Sequence, residues 1–188
     1  MQNKDDLIAF LKHSHEKHYL EFKKATNLPK TFWETYSAFC NTSGGVVVLG
    51  VSETEHENEI IGVGNKEKII TELWDLLSNP NKVSFNNLVN EDVLTIPIDE
   101  TRTIIVIGIQ EAPDNMKPVY LEGKIQRTFL RTGDGDRLAN QIEINSMLRN
   151  AQPVHDSLLI DNYTLDDLDP ISVMEYKTIV NKRNPVKN

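Results

Sequence analysis

A single cysteine, Cys40, stands in a chain of 188 residues. One thiol closes no internal disulfide and offers no zinc cluster, so the fold has to rest on its core. Cys40 lies among apolar residues and reads as a small core hydrophobe. Long apolar runs are missing as well. No stretch approaches the roughly 18 residues of a membrane span, and Lys4, Asp5 and Asp6 precede only the short Leu7–Leu11 segment, which is no signal-peptide core. The expectation is a protein with no membrane partner, located in the cytoplasm. Positive charge is also scarce. Twenty Lys and Arg face 28 Asp and Glu, a formal net charge of −8, which argues against a protein that coats nucleic acid over its whole surface, because phosphate affinity comes from Lys and Arg. The phosphate-cradling run G-x-x-x-x-G-K-[ST] is absent too: Gly62-Val63-Gly64-Asn65-Lys66 comes nearest but lacks both the spacing and the hydroxyl, and reads as a turn.

With 39% hydrophobic residues, the chain can build one packed core and an appendage. Its charge is unevenly spread. Residues 1–50 hold six lysines and five acids, with His13, His15 and His18 in addition, whereas residues 51–150 hold ten bases and seventeen acids. The offsets of the three histidines do not put them on one helical face, so they read as a weakly basic connector rather than a metal site.

Apolar spacing predicts a helix over 5–12, a strand over 19–24 and a second helix after Pro29 with Phe32, Tyr36 and Phe39 on its inner face. Strands are expected over 46–51, 60–63, 93–98, 103–109, 119–121 and 126–131, and helices over 66–77 and 140–150. Asp134-Gly135-Asp136-Arg137 reads as a turn, with cation binding by its two carboxylates as the alternative. From Ala151 onward Pro153, Pro170 and Pro185 mark a linker-like segment, with Thr164-Leu165-Asp166-Asp167-Leu168 as a capped start and a terminal helix over 171–180.

The most specific stretch is Ala38-Phe39-Cys40-Asn41-Thr42-Ser43-Gly44-Gly45-Val46-Val47-Val48-Leu49-Gly50-Val51. Asn41, Thr42, Gly44 and Gly45 make a polar turn at a helix end, and the strand that follows reads as buried on both faces. Together with Tyr19-Leu20-Glu21-Phe22-Lys23, it resembles the "EFK … AFANT-GG … GV" signature of the Schlafen/Alba-like (AlbA_2) domain. That domain occurs at the N-terminus of many bacterial transcriptional regulators and in vertebrate Schlafen proteins. Further matches in order are Gly62, Pro118-Val119-Tyr120 and Arg131-x-Gly133.

The resemblance implies an α/β (α+β) fold, a mixed β-sheet packed by helices, over residues 1–150. Residues 151–188 would then be a linker and a C-terminal helical appendage leading to a region beyond this chain. It implies a DNA- or nucleic-acid-binding module of a bacterial transcriptional regulator, binding DNA or RNA weakly and salt-dependently. A homodimer is expected, since a small mixed sheet has unpaired edges. The candidate nucleic-acid contacts are Lys23, Lys24, Arg127, Phe129 and Arg131. Arg127, Phe129 and Arg131 alternate onto one face: either the stripe grips phosphates and stacks a base, or Phe129 packs inward and the arginines pair with acids. In catalytic Schlafen proteins three carboxylates hold a metal that cleaves RNA. Their positions fall here on Glu16, Glu21 and Ser52-Glu53, so a Mg²⁺ or Mn²⁺ ribonuclease using Glu16, Glu21 and Glu53 is one alternative; otherwise no cofactor is implied. Glu21 is open to a structural reading too, pairing with Lys23 or anchoring the Gly-rich turn. A domain for self-association or protein contact is the other alternative. The change in composition leads to a test: limited proteolysis is expected to cut between Ala151 and Asp169 and leave a folded core, and a protected tail would contradict this division.

Overall fold

The computed structural model describes residues 4–152 and 167–183. The chain divides into two compact units at Pro153 and Val154. The capped start proposed over 164–168 lies largely outside the described residues.

In chain order the first unit contains α1 (Lys4–His13), β1 (Leu20–Lys23), α2 (Phe32–Asn41), β2 (Gly45–Leu49), β3 (Val51–Ser52), β4 (Glu59–Ile60), α3 (Lys66–Leu77), β5 (Val93–Pro97), β6 (Thr103–Ile109), β7 (Tyr120–Leu121), β8 (Lys124–Thr132), β9 (Gly135–Leu138) and α4 (Gln141–Asn150). Side-chain caps fix two of the helix starts. Asn65 caps α3 by accepting from the Lys68 amide at 2.9 Å, and Asn140 and Glu143 form a reciprocal capping box on α4.

Four strands form a mixed sheet in the order β1-β2-β6-β5. The β1–β2 pair is parallel, joined by α2 as the crossover; β2–β6 and β6–β5 are antiparallel. Helices cover both sheet faces, so period-two alternation divides β2 between two cores. Val47 and Leu49 pack with Ile105, Ile107 and Ile109 against Phe32, Tyr36 and Phe39 of α2 and Ile69 and Leu73 of α3. Val48 packs with Leu20, Phe22 and Ile104 on the opposite face, with Leu11 of α1.

The strand expected over 46–51 is broken at Gly50, whose φ of +99° lies in the left-handed region. A Cβ there would sit 2.8 Å from the Gly62 carbonyl carbon. The chain leaves the sheet at this point, and Ile61 and Gly62 both donate backbone N–H groups to the Gly50 carbonyl. The result is the separate β3–β4 hairpin.

A second sheet, β7-β8-β9, packs on α2. Residues 134–137 were expected as a turn, but Gly135–Leu138 is strand β9, paired with β8 from Thr132↔Gly135 to Phe129↔Leu138. The turn is confined to Gly133-Asp134, with Gly133 at φ +65°. Local polarity concealed a strand whose pairing is set by its neighbour.

Ser37 and Asn41, one helical turn apart on α2, fasten this sheet. Asn41 Nδ2 donates to the Val119 carbonyl at 2.8 Å and the Phe129 carbonyl at 3.1 Å, while its Oδ1 accepts from the Val119 amide at 2.7 Å. Ser37 Oγ donates to the Val119 carbonyl and accepts from the Phe129 amide. Both side chains are buried. In the second unit α5 (Pro170–Arg183) carries exposed Ile171, Met174, Tyr176 and Ile179.

Asn41→Ala strands a buried N–H and weakens the satisfaction of two carbonyls, each stranded group costing roughly 1–3 kcal/mol. A urea titration is expected to show a loss of about 3 kcal/mol or more, and a loss below about 1 kcal/mol would mean that this clamp does not dock the second sheet.

Candidate functional site

Alternation along β1 turns Glu21 and Lys23 toward α2, in register with Val47 and Leu49. There they join a chain of charges drawn from β1, β8 and β9 and ended by a hydroxyl of α2. Lys23 Nζ donates to Glu21 Oε1 at 2.8 Å, and Arg131 Nη2 of β8 donates to Glu21 Oε2 at 2.8 Å and to the Lys17 carbonyl at 3.0 Å. Arg131 Nη1 donates to Asp136 Oδ1 on β9 at 3.0 Å, and Asp136 Oδ2 accepts from Thr35 Oγ1 of α2 at 2.6 Å. The guanidinium lies 5.2 Å from the Phe39 ring centroid and its side chain is only 3% exposed. Burial works against its charge, but hydrogen bonds to Asp136 and Glu21 outweigh burial and hold the group still more firmly protonated.

The β3–β4 hairpin brings a third carboxylate to this neighbourhood. Glu53 Oε1 accepts from the Glu16 amide at 2.9 Å and lies 3.3 Å from His15 Nδ1. Glu16 Oε1 in turn accepts from the Phe22 amide at 3.0 Å. Burial and the adjacent Glu21 charge, reinforced by Glu53, push the Glu16 carboxyl above the usual range despite that amide. Glu16, Glu21 and Glu53 therefore come from separate segments to one locality.

Their oxygens do not fit a divalent ion as placed. Both oxygens of Glu21 are held in ion pairs, one with Lys23 and one with Arg131, and the contacting oxygens of Glu16 and Glu53 accept backbone amides. Among the described residues no three His, Cys, Asp or Glu side chains stand where they could hold a metal. A hard cation needs several oxygens free to converge on it.

For the stripe on β8, the structure has the inward arrangement. Phe129 is 8% exposed and belongs to the core beneath α2. Arg131 is consumed by Glu21 and Asp136, and Lys23 by Glu21. Arg127 differs. Its nearest carboxylate oxygens, on Glu34 and Glu122, are both 3.5 Å away, longer than the 2.7–2.9 Å or so of a good charge-assisted bond. Its Nε, like that of Arg131, is buried without an acceptor, so the loose carboxylate contacts are what set Arg127 apart. Lys24, on the segment leaving β1, is exposed.

Arg127 lines a recess of about 380 Å³ with Lys30, Thr31, Trp33, Glu34, Lys82, Leu121 and Glu122. Lys82 Nζ lies 5.2 Å from the Trp33 ring centroid. Its place is set by the pairing of the segment after α3 with β7: Val83 bridges Leu121, and the Glu122 amide donates to the Lys82 carbonyl. Lys30 and Lys82 escaped sequence reading because each is a lone lysine in a loop, and only the docking of the second sheet on α2 unites them with Arg127. Asp136 escaped because its segment read as a turn, although the strand register sets it opposite Arg131.

A family model described as Schlafen, AlbA_2 matches residues 16–140. The chain belongs to the Schlafen AlbA_2 family. The matched span contains every residue of the charge chain and of the recess. The AlbA_2 fold recurs in the N-terminal domain of a RecG-related protein from Nitrosomonas europaea, which has 22% identity and a TM-score of 0.54 over 75% of this chain and 92% of that one. The DIP2311 protein from Corynebacterium diphtheriae aligns at 15% identity with a TM-score of 0.48, over 97% of this chain and 38% of its own. No curated protein matches the sequence. No helix among the described residues is long and apolar enough to cross a membrane.

The raised Glu16 pKa has a sign that can be tested. A carboxyl that protonates more readily in the fold than in the unfolded chain opposes folding above its raised pKa, and this opposition fades as pH falls toward the ordinary value of about 4.3. Glu16→Gln keeps an acceptor for the Phe22 amide and removes the charge. The variant is expected to be more stable than the parent at pH 7, with the gap closing on acidification; thermal melts across pH that show a constant gap, or none, would contradict the assignment.

Proposed function

We propose that this AlbA_2 domain is a nucleic-acid-binding module of a bacterial transcriptional regulator, gripping phosphates weakly through Lys24, Lys30, Lys82 and Arg127. The observation that carries this reading is that Lys30, Lys82 and Arg127, none of them closely paired, line one recess, with Lys24 exposed on the same connection as Lys30, while other bases are neutralised. Lys12 pairs with Glu57, Lys23 with Glu21, Arg102 with Asp99, Lys117 with Glu111, Arg131 with Glu21 and Asp136, and Arg137 with Glu143. Among the described residues, no carboxylate lies within 4.0 Å of the amine of Lys24, Lys30 or Lys82, and Arg127 is held only loosely. Lys24 and Lys30 lie on the β1–α2 connection, and Lys30 shares its recess with Lys82 and Arg127. Lys17, Lys68, Lys124, Arg149 and Lys177 are also without a carboxylate within 4.0 Å among the described residues; what sets Lys30, Lys82 and Arg127 apart is that they line one recess. Arg131 supports the interface from within by fixing β8 against β1 through Glu21, whose other oxygen Lys23 balances.

Each neutralised phosphate contributes about −0.9 to the slope of log K against log salt for duplex DNA. Fluorescence anisotropy with duplex and single-stranded oligonucleotides is expected to show binding at low ionic strength that weakens steeply with salt. Alanine at Lys24, Lys30 or Lys82 should lower the slope by roughly one phosphate each. Absence of binding to duplex and single strands at low salt would sink this reading in favour of a protein-contact domain.

A further inference from the structure

We propose that the recess formed by Lys30, Lys82 and Arg127 takes a terminal phosphomonoester, the phosphate at the end of a nucleic-acid strand. This rests on the nucleic-acid reading above and assigns the part of the strand that the recess receives.

The argument starts from the number and origin of the cations. Lys30 stands at the entry to α2, Lys82 on the segment bridged to β7, and Arg127 on β8. Three basic residues from three separate segments line one cavity of about 380 Å³. A phosphate inside a strand is a diester with one charge and two free oxygens, and both its substituents must leave the cavity. A terminal phosphate has three free oxygens, a charge of about −1.5 to −2 at pH 7, and one substituent. A recess lined by three cations suits the second group better, because it offers more charge than a diester can use and only one substituent has to leave it.

The acids in the recess sharpen the choice. Glu34 and Glu122 flank Arg127 without closing on it, each at 3.5 Å, and its buried Nε has no acceptor. Arg127 is therefore short of acceptors, while Lys30 and Lys82 lack carboxylate partners among the described residues. Three cations and two carboxylates leave one net positive charge, too little to trap any anion strongly. A dianion gains most from such a site, because attraction to all three cations outweighs repulsion by two displaced carboxylates. The Trp33 ring is 3% exposed, with Lys82 5.2 Å from its centroid. It supplies a rigid, dry wall beside the Lys82 ammonium, where charge is screened less than at an open surface.

The test compares labelled single strands of one sequence bearing 5′-phosphate, 3′-phosphate or only hydroxyl ends, measured by anisotropy with the full chain. One phosphorylated end is expected to bind at least tenfold more tightly than the hydroxyl strand, and which end does so identifies the source. The preference should shrink below pH 6, where the phosphomonoester gains a proton, and vanish in Arg127→Gln and Lys82→Gln. Lys30→Gln alters an exposed side chain in a loop, so it carries the same test if the other variants fold poorly. Equal binding of all three strands, or an unchanged preference in folded variants, overturns the inference and leaves the nucleic-acid reading standing. Binding of a mononucleotide, seen by ³¹P NMR and lost in Lys30→Gln, with no strand bound, supports the recess as a phosphomonoester site and overturns the nucleic-acid reading instead.

Discussion

Two buried polar side chains on one helix, Ser37 and Asn41, hold this domain in the arrangement that gives it a site. A sheet as small as β7-β8-β9 has little apolar surface of its own, and docking it by side-chain burial alone would leave it free to slide along α2. Hydrogen bonds to the backbone of Val119 and Phe129 fix both distance and register. Directional bonds of this kind contribute modest net stability when made and cost much more when broken. Specificity of docking is therefore their main effect. It places Arg131 beside Glu21 and Arg127 beside Lys82.

The same docking sorts the charges into two kinds. Within the interface between β1, α2, β8 and β9, opposite charges are matched almost one for one, so little potential escapes. At its margin, where the N-terminal end of α2 meets the β7–β8 hairpin, the matching is incomplete and lysines face the recess without carboxylate partners. A protein that is acidic overall can thus present a local positive field, within a reach set by the Debye length of about 8 Å at physiological salt. Glu16, Glu21 and Glu53 gather nearby but are tied to amides, Lys23 and Arg131.

Much of the fold was legible because its determinants are local. The turn Asn41–Gly45, the one-turn spacing of Phe32, Tyr36 and Phe39, and the apolar spacing of Ile142, Ile144, Met147 and Leu148 each dictate backbone geometry within a few residues. The doubly buried β2 could be read from its unbroken valines. What stayed hidden was long-range. Gly50 looked like part of a strand because its left-handed φ is imposed by the close approach of Gly62, and β9 looked like a turn because its partner decides its shape. The site followed the same division. Glu21, Lys23 and Arg131 stood out in motifs, yet their mutual pairing could not be seen before β8 was laid against β1. Lys30 and Lys82 carried no local signal.

The run Thr35, Asp136, Arg131, Glu21, Lys23 has a consequence for how such a sequence can change. Its four charged members alternate in sign and sum to zero, and each interior one is balanced by neighbours on both sides. Removing either acid leaves a largely buried guanidinium short of a partner, and removing Arg131 leaves two carboxylates facing each other's field. A broken buried pair typically costs about 3–5 kcal/mol, comparable with the whole stability of a small domain. A swap for apolar residues is tolerable only when made on both sides at once. The alternating row therefore behaves as a parity constraint: sequences with it and sequences without it are separated by a gap that single substitutions do not cross.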